Sequence, residues 1–428
     1  MLDINLIREK ADFVKTALLK RMAAIDFTEL LEWDKQRRVL ITQSDELKAR
    51  TNQVSKQIPA MKKQGQDISP ITSEMKIISD NISELGGRLK ELETRINTFL
   101  AALPNLPDDD VLSGGKENNQ VLRSWGNKPE FDFEIKDHVA IAEQFGLIDY
   151  KRGAKLGGNG YWIYRGDGAI IEWALLDYFI SEHLRDGYEF MLPPHILTYE
   201  CGFTAGQFPK FVDDVFHIKP VEAGQPLTFL LPTAETALIN FHRDEILRED
   251  ELPKKYFAYT PCYRKEAGSY RTSERGMIRG HQFNKVEMFQ YTTPEASSQA
   301  LEDLTLKAER LVQGLGLHHR VVKLAAGDCS AGMARTHDIE VWIPSMNEYK
   351  EVSSASNARD FQARRGMIRF RRTEGKKIEY VHTLNASGLA TSRLLPAIIE
   401  QFQQKDGTVI VPEVLRKRIG KSVLSPKV

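Results

Sequence analysis

Cysteine is scarce in this chain, with only three among 428 residues. Cys201, Cys262 and Cys329 lie far apart, and no two of them form a CxxC pair. This spacing argues against a disulfide-bonded scaffold and against a zinc site built on cysteine. It is typical of proteins in a reducing compartment, so we expect a cytoplasmic protein.

Long apolar runs and an excess of one charge are also missing. No hydrophobic stretch reaches the length of a bilayer span, and Met1 opens a charged amphipathic segment rather than a signal peptide. Lys plus Arg and Asp plus Glu both number 59, so the formal net charge is zero. We therefore expect no membrane partner, and a polyanion would have to bind a local basic surface.

The N-terminal quarter carries the repeat pattern of a coiled coil. In a first run, apolar residues recur every seven positions, at Trp33, Leu40, Leu47, Val54 and Met61. In a second run they alternate by four and three, at Ile71, Met75, Ile78, Ile82, Leu85, Leu89, Leu92 and Ile96. Both spacings are typical of helices that pack along one seam. We predict an antiparallel helical hairpin over residues 28–103, within an N-terminal domain of residues 1–106.

A basic segment lies toward the far end of the first predicted helix. Its cations, with no acidic residue between them, are Lys48, Arg50, Lys56, Lys62 and Lys63. Such a charge run most often marks only a solvated helix face. At the tip of an arm in a neutral protein, it favours contact with a nucleic-acid backbone. Pro59, in the same segment, is expected to kink or end the helix.

The rest of the chain has a different composition. Residues 107–130 combine Pro, Asp, Gly and Asn with little apolar content, which predicts a linker. Residues 131–428 alternate short strands with few long helices, which predicts an antiparallel α+β domain. Within it, residues 169–185 are expected to form an amphipathic helix.

The most informative stretch of this domain is Thr260–Tyr291. Its aromatic and β-branched residues indicate a strand over Tyr259–Glu266 and another over His281–Tyr291. The loop between them is long, charged and contains glycine. We interpret the stretch as two adjacent strands.

Polar side chains on these two strands suit a nucleotide and an amine. Because side chains alternate along a strand, Phe283, Lys285 and Glu287 should share one face. Arg264 and Glu266 should share a face of the other strand. An Arg fork suits phosphate, a carboxylate suits an ammonium group, and a Phe ring suits a base. A surface hairpin with cross-strand ion pairs explains the same residues equally well.

Other segments add polar groups near strand or helix ends. Thr233 and Glu235 end an apolar strand, where capping the next helix is the plain alternative to binding. Arg393 falls in the first turn or so of a helix that begins near Leu389, which favours anion binding.

A further predicted strand pair carries oxygen ligands. Its inward side chains include Glu340, Glu351 and Ser354. Carboxylates near a triphosphate favour a magnesium ion held jointly by protein and phosphate. A surface hairpin is again the alternative.

Taken in order, these segments resemble the three signature motifs of class II aminoacyl-tRNA synthetases. The chain is most similar to the seryl-tRNA synthetase family, and the matching stretches cover almost its whole length. They are TAE at 233–235, YRKEAGS at 263–269, RG at 275–276, HQF-K-VE around 281–287, EVSS at 351–354, FQARR at 361–365, HTLNASGLA at 382–390 and VPEVLR at 411–416. The resemblance implies a class II antiparallel sheet flanked by helices, preceded by the coiled-coil hairpin.

The resemblance also implies a reaction. Serine and ATP, with Mg²⁺, give seryl-adenylate and pyrophosphate, and serine then passes to the 3′ end of serine tRNA, and of selenocysteine tRNA where that tRNA exists. The family's motif 1 implies a homodimer. The arm would grip tRNA through the five cations named above.

Residue roles follow from the same resemblance. Catalysis is assigned to Arg264, Glu287 and Arg393. Serine binding is assigned to Thr233, Ala234, Glu235, Arg264, Glu287, Asn385 and Ser387. ATP binding is assigned to Arg264, Lys265, Glu266, Phe283, Glu351, Val352, Ser353, Ser354 and Arg393, and magnesium to Glu351 and Ser354.

The chain departs from the family pattern in three places. Residues 270–274 read Tyr-Arg-Thr-Ser-Glu in place of a small residue, Gly, Arg, Asp and Thr. Residues 330–333 read Ser-Ala-Gly-Met in place of Gly-Phe-Ser-Ala, and Ile170 replaces an Arg of the motif 1 helix. Two other interpretations stay open. A serine-activating paralogue could deliver serine to another acceptor, but it has no use for a basic arm. A non-catalytic RNA-binding protein should have lost Arg264, Glu287 or Arg393, and all three are present.

Overall fold

A computed structural model of the chain describes residues 1–220, 222, 224–266 and 276–427. The chain divides into two compact units. One comprises Leu2–Thr16 and Ala23–Pro104, and the other Met1, Ala17–Met22 and Asn105–Val428. No helix in the described ranges combines the length and the apolar character needed to cross a bilayer. The sequence-based domain limits at residues 106 and 130 stay a prediction.

The described residues form the following helices and strands. The helices are α1 (Ile4–Glu9), α2 (Ala11–Leu18), α3 (Thr28–Lys63), α4 (Ser69–Ala102), α5 (His138–Phe145), α6 (Tyr150–Gly157), α7 (Asp167–Arg185), α8 (Tyr199–Thr204), α9 (Glu235–Leu238), α10 (Ser297–Gly314), α11 (Phe361–Gly366), α12 (Thr391–Gln401) and α13 (Glu413–Ile419). The strands are β1 (Gln120–Trp125), β2 (Ile148–Asp149), β3 (Ile163–Tyr164), β4 (Glu189–Met191), β5 (Ile196–Thr198), β6 (His217–Ile218), β7 (Thr228–Leu230), β8 (Ile246–Arg248), β9 (Lys254–Tyr263), β10 (Gln282–Thr292), β11 (His319–Lys323), β12 (Arg335–Ile343), β13 (Glu348–Arg359), β14 (Arg369–Arg371), β15 (Ile378–Tyr380), β16 (His382–Ala390), β17 (Val409–Ile410) and β18 (Val423–Leu424).

The first unit consists mainly of the two long helices α3 and α4. The rings of Phe27 and Trp33, at the beginning of α3, each lie 6.3 Å from that of Phe99 at the end of α4. The helices are therefore antiparallel, and the predicted helical hairpin is confirmed. The most buried positions of its seam include Leu40, Ile78, Leu92 and Ile96.

Pro59 does not end α3, which continues to Lys63. The helix therefore does not end at this proline, and the expected kink there stays a prediction. Proline removes only the hydrogen bond to the carbonyl of the residue four positions earlier, Ser55. Because Ser55 is exposed, water can satisfy that carbonyl, and the helix continues for its last turn.

The second unit is built on an eight-stranded sheet with the order β1-β11-β12-β13-β16-β10-β9-β4. Neighbouring strands are antiparallel except for the parallel pair β4 and β9. Helix α10 packs on β13 and β16, and α12 packs on β12. The predicted antiparallel α+β class is confirmed. Strand β1 lies inside residues 107–130, which the composition predicted as a linker.

The main core lies on one face of this sheet. From β10 it receives the fully buried side chains of Val286 and Met288, which pack with Leu304 of α10 and Leu394 of α12. Since neighbouring side chains of a strand point to opposite faces, Lys285 and Glu287 point away from this core. The strand pattern thus presents charged groups on the opposite face.

Candidate active site

Three adjacent segments bring together a buried set of polar groups. Glu287 on β10 is paired in register with Ser387 on β16, and both side chains are buried. The Nδ2 atom of Asn385, also on β16, donates to Glu287 Oε1 at 3.0 Å, and Ser387 Oγ lies 3.5 Å from Oε2. The structure therefore brings together three residues predicted to bind serine.

Lys285 completes this set from the same strand. Its Nζ atom donates to Thr233 Oγ1 at 2.7 Å and forms an ion pair with Glu287. Thr233 also accepts from the backbone N–H of Glu235 at 3.3 Å, so it caps the first turn as well as facing the site. Thr233 therefore satisfies a backbone N–H at the start of α9, and its binding of serine stays a prediction.

Glu235 is a second buried carboxylate beside this set. Gln362 Nε2 donates to its Oε1 atom at 2.7 Å, and Thr383 Oγ1 donates to Gln362 Oε1 at 2.7 Å. Burial, together with the nearby charge of Glu287, raises the pKa of Glu235 to about 7.

We expect Glu235→Gln to change how stability depends on pH. Folding raises the pKa of Glu235 from an ordinary 4.5 to about 7, so the folded chain holds a proton that the unfolded chain releases between those values. The wild-type chain should therefore lose up to about 3 kcal/mol as pH rises through this window. The Glu235→Gln variant lacks this carboxyl group, so its free energy of unfolding should not fall by this amount over the same pH range. Urea unfolding at about pH 5 and about pH 8 measures the difference.

The control for this prediction is Glu413→Gln, at the exposed first residue of α13. It should leave the pH dependence of unfolding as in the wild type. The prediction would be wrong if the free energies of unfolding of wild type and Glu235→Gln changed by the same amount between about pH 5 and about pH 8. The pKa of Glu235 would then be ordinary in the folded chain.

Next to the carboxylates lies an open cavity of about 390 Å³. Its walls include Thr233, Arg264 and Glu266. The guanidinium of Arg264 lies 5.1 Å from the centre of the Phe283 ring, and its Nε donates to Pro232 O at 3.3 Å. The wall carries the cation of Arg264 and the ring of Phe211, so a small organic molecule fits this volume. Phe283 lies beside Arg264 but is not one of the wall residues.

The strand that should carry Arg264 and Glu266 is shorter than predicted. β9 ends at Tyr263. The backbone N–H of Arg264 still donates to His281 O at 2.9 Å, but that of Lys265 donates to Asp214 O at 3.1 Å. Glu266 has a positive φ of 49° and pairs with Arg279 through an Nε–Oε2 bond of 2.7 Å. The prediction of a shared strand face was wrong because the chain leaves the sheet, yet both residues reach the cavity.

A third group of oxygen atoms lies on β12 and β13. Arg393 Nη1 donates to Glu351 O at 2.8 Å and lies 3.4 Å from its Oε2. Across the strands, Asp338 is paired with Ser354, and within the described residues its buried Oδ1 atom has no hydrogen-bond partner. Burial and the carboxylate of Glu351 raise the pKa of Asp338 well above its usual range.

These residues fit a magnesium ion that arrives with phosphate. Over the described parts of the chain, no three His, Cys, Asp or Glu side chains form a complete metal cage. Magnesium usually keeps water and phosphate ligands and takes only one or two carboxylates from the protein. Glu351, with a half-exposed carboxylate, and the unpartnered oxygen of Asp338 meet that need.

Some predicted residues do not offer their side chains to the cavity. Val352 packs in the main core and Ala234 in a second cluster of apolar side chains. Ser353 Oγ donates to Ser387 O at 2.5 Å, and Lys265 Nζ donates to Asp213 O at 3.3 Å. The loop residues 270–274, where the sequence departs from the family pattern, and Arg275 lie outside the described residues.

Three residues of the site were missed by sequence reasoning. Strand alternation placed Lys285 beside Glu287 but gave it no role. Gln362 and Asp338 reach the site from elements far along the chain. Each carried a signal that was not used: Gln362 lies in the matching stretch FQARR, and Asp338 is an acid two residues before Glu340 on the predicted strand.

On the helical hairpin, the predicted basic residues are exposed or nearly so. Arg50 pairs with Glu74 of α4, with Nε at 2.9 Å from Oε1. Lys48 Nζ lies 3.9 Å from Asp45 Oδ1. The other three cations, Lys56, Lys62 and Lys63, are exposed. Arg50 is thus the one whose charge is most engaged within the arm.

Comparison with known proteins relates both units to one family. The profile of the Seryl-tRNA synthetase N-terminal domain matches residues 1–107, and that of the tRNA synthetase class II core domain (G, H, P, S and T) matches residues 222–402. Serine--tRNA ligase 2 of Clostridium acetobutylicum is 67% identical over 99% of this chain and 100% of its own length. Serine--tRNA ligase of Thermodesulfovibrio yellowstonii is 45% identical over 99% of this chain and 100% of its own length. The crystal structure of seryl-tRNA synthetase from Pyrococcus horikoshii complexed with ATP covers all of both chains with a TM-score of 0.90 at 33% identity.

Proposed function

The chain belongs to the seryl-tRNA synthetase family, and we propose that it activates serine with ATP and transfers it to serine tRNA at the pocket between β10, β16 and the segment carrying Thr233. The observation that carries this proposal is the position of Glu287. It is buried among hydrogen-bond donors, beside a cavity with an exposed arginine and an aromatic ring.

Serine binds on the carboxylate side of the pocket. Its ammonium and hydroxyl groups meet Glu235, Glu287 and Thr233, with Asn385 and Ser387 holding Glu287 in place. Recognition by buried polar groups is selective, because a substrate without the matching group leaves them unpaired. The close packing around Glu287 supports this assignment.

ATP binds on the cavity side. Phe283 stacks on the adenine ring, while Arg264 binds the α-phosphate and the carboxylate of serine, and Glu266 lies near the base. A serine carboxylate oxygen attacks the α-phosphorus, the bond to the β-phosphate oxygen breaks, and pyrophosphate leaves. Arg264 stabilises the charge that develops on the α-phosphate, and positioning supplies most of the remaining rate enhancement.

Glu351 and Ser354 would hold Mg²⁺, with Asp338 opposite Ser354 as a further oxygen donor, and Arg393 would hold the γ-phosphate. The ion, when bound, offsets the charge of the phosphate oxygens. In the free protein the guanidinium of Arg393 is bonded to Glu351. This contact holds the Arg393 guanidinium beside the Glu351 carboxylate until the phosphates of ATP bind between the two groups.

The helical hairpin α3–α4 binds tRNA. Its exposed cations suit the sugar–phosphate backbone, which supplies most of the affinity for folded RNA at moderate salt. Serine tRNA is the proposed partner, and selenocysteine tRNA is a second one where it exists. Cytoplasmic location is proposed on the basis of three unpaired cysteines.

The active chain is a homodimer formed through α7 and the strand that follows it. Large apolar side chains are exposed there, with Trp173 on α7 at 60% and Leu192 after β4 at 73%. Apolar side chains this exposed suit a subunit contact. β4 is also the edge strand of the sheet, with free backbone groups.

We expect Trp173→Asp to raise the dissociation constant of the dimer at least about 100-fold. The reason is that a charge replaces an aromatic side chain that the proposed subunit contact would bury. Sedimentation velocity across a concentration series measures this. Leu306→Asp, on the exposed face of α10, is the matched control and should leave the dimer intact. A monomeric wild type, or an unaffected Trp173→Asp dimer, contradicts the proposed interface.

Serine-dependent exchange of pyrophosphate into ATP tests the activation step, and charging of serine tRNA tests the transfer. Exchange without charging by the whole chain would favour the serine-activating paralogue. Absence of exchange would exclude the enzyme function. The intact basic arm disfavours the paralogue.

A further inference from the structure

Lys285 is a buried cation of the pocket that the proposed reaction does not use. Its side chain is 7% exposed and that of its ion-pair partner Glu287 is 1% exposed. A buried ammonium is costly unless its charge and its N–H groups are satisfied. Lys285 meets this condition with a carboxylate and with the hydroxyl oxygen of Thr233 at 2.7 Å.

The partners of Lys285 are the same groups that surround the amino end of serine in the proposed function. In the free protein, therefore, a primary ammonium already occupies the space between Thr233 and Glu287. It neutralises Glu287, whose other oxygen accepts from Asn385 at 3.0 Å. Glu287 needs no second cation.

Glu235 is different. Its hydrogen-bond partner through Oε1 is the neutral amide of Gln362 at 2.7 Å. Of the two buried carboxylates, it is therefore the one that gains more from a new cation. An ammonium group entering the pocket is attracted to Glu235, and a hydroxyl group can approach Glu287, whose charge is already balanced.

We propose that Lys285 is a positioning residue for serine: by neutralising Glu287 and holding Thr233, it directs the substrate ammonium to Glu235 and the substrate hydroxyl to Glu287. This inference rests on the serine activation proposed above. It separates two carboxylates that sequence reasoning treated alike.

The test uses Lys285→Met in the whole chain, with serine-dependent pyrophosphate exchange as one readout. The KM for serine should rise about 100-fold, because Glu287 without its cation competes with Glu235 for the substrate ammonium, and Thr233 loses the hydrogen bond that holds it in place. The KM for ATP should stay within about twofold. Lys254→Met, on the neighbouring strand β9 and outside the pocket, is the matched control and should change neither constant.

A second readout uses serinol, which keeps the ammonium and hydroxyl groups of serine but lacks the carboxylate. Its inhibition constant should rise in Lys285→Met by the same factor as the KM for serine. If serinol inhibits wild type and variant equally, Lys285 acts on the carboxylate or not at all, and the inference is overturned. If wild-type chain shows no serine-dependent exchange, the proposed function itself fails.

Because Lys285→Met leaves Glu287 buried without its cation, Glu287→Gln and the double variant are measured as well, by calorimetric titration with serinol. If Lys285 acts through Glu287, the double variant should bind no more weakly than either single variant. Independent, multiplying losses would overturn the assignment. Because this double-mutant cycle measures binding of serinol, it can be carried out even if the variants exchange pyrophosphate slowly.

Discussion

Arg264→Ala should lower the kcat/KM of serine-dependent pyrophosphate exchange at least about 1,000-fold. Removing a single donor to developing charge in an enzyme costs about 100- to 1,000-fold, and Arg264 is assigned both the α-phosphate and the serine carboxylate. The side chain is exposed, and its one hydrogen bond to a described residue goes to a backbone oxygen, that of Pro232. The fold should therefore not depend on it, and the thermal midpoint should move by less than about 2 °C.

Two variants make this experiment specific. Arg264→Lys keeps the charge but loses the planar fork, so it should recover only part of the rate. Arg416→Ala removes an arginine that likewise donates through Nε to one backbone oxygen, Val411 O at 3.0 Å, far along the chain from the pocket. It should retain full exchange. Near-normal exchange by a folded Arg264→Ala protein would remove Arg264 from the catalytic site.

Neutralising the arm should separate the two half-reactions. Changing Lys48, Lys56, Lys62 and Lys63 to Gln is expected to raise the KM for serine tRNA at least about 100-fold, because several phosphate contacts are lost together. Pyrophosphate exchange should stay within about twofold of wild type. The effect should shrink as salt is raised, since the wild-type affinity itself falls with salt.

The matched control changes four other exposed lysines, Lys376, Lys377, Lys405 and Lys421, to Gln. It alters the net charge equally but leaves the arm intact, so charging should be little affected. A second version of the test replaces residues 28–103 with a short Gly-Ser linker. This is feasible because Phe27 and Phe99 are in ring contact. If either arm variant charges tRNA normally, the arm does not bind it.

Sequence periodicity predicted the parts of the fold whose signal is local. The heptads of α3 and α4 and the alternation along β10 follow from side-chain geometry alone. All three elements are present as expected. The end of β9 was missed because Lys265 pairs with Asp214, a contact that no local pattern records. Long-range partners decide where a strand stops.

The same distinction applies to the site. Glu287 could be predicted because its own strand places it, and the family resemblance gave it a role. Gln362 could not, since its contact with Glu235 spans 127 residues of sequence and depends on how α11 packs. Lys285 was placed correctly, yet its ion pair with Glu287 becomes meaningful only when the exposure of both side chains is known.

The wide sequence separation within the pocket has a consequence for the order of folding during synthesis. Glu287 and Asn385 are 98 residues apart, and Thr233 and Lys285 are 52 apart. The seam of α3 and α4, by contrast, joins residues that are all made within the first quarter of translation. During synthesis, a unit whose residues are all made early can fold before the later parts of the chain exist. The arm can therefore be complete on the ribosome while the pocket is still missing the strand that carries Asn385 and Ser387.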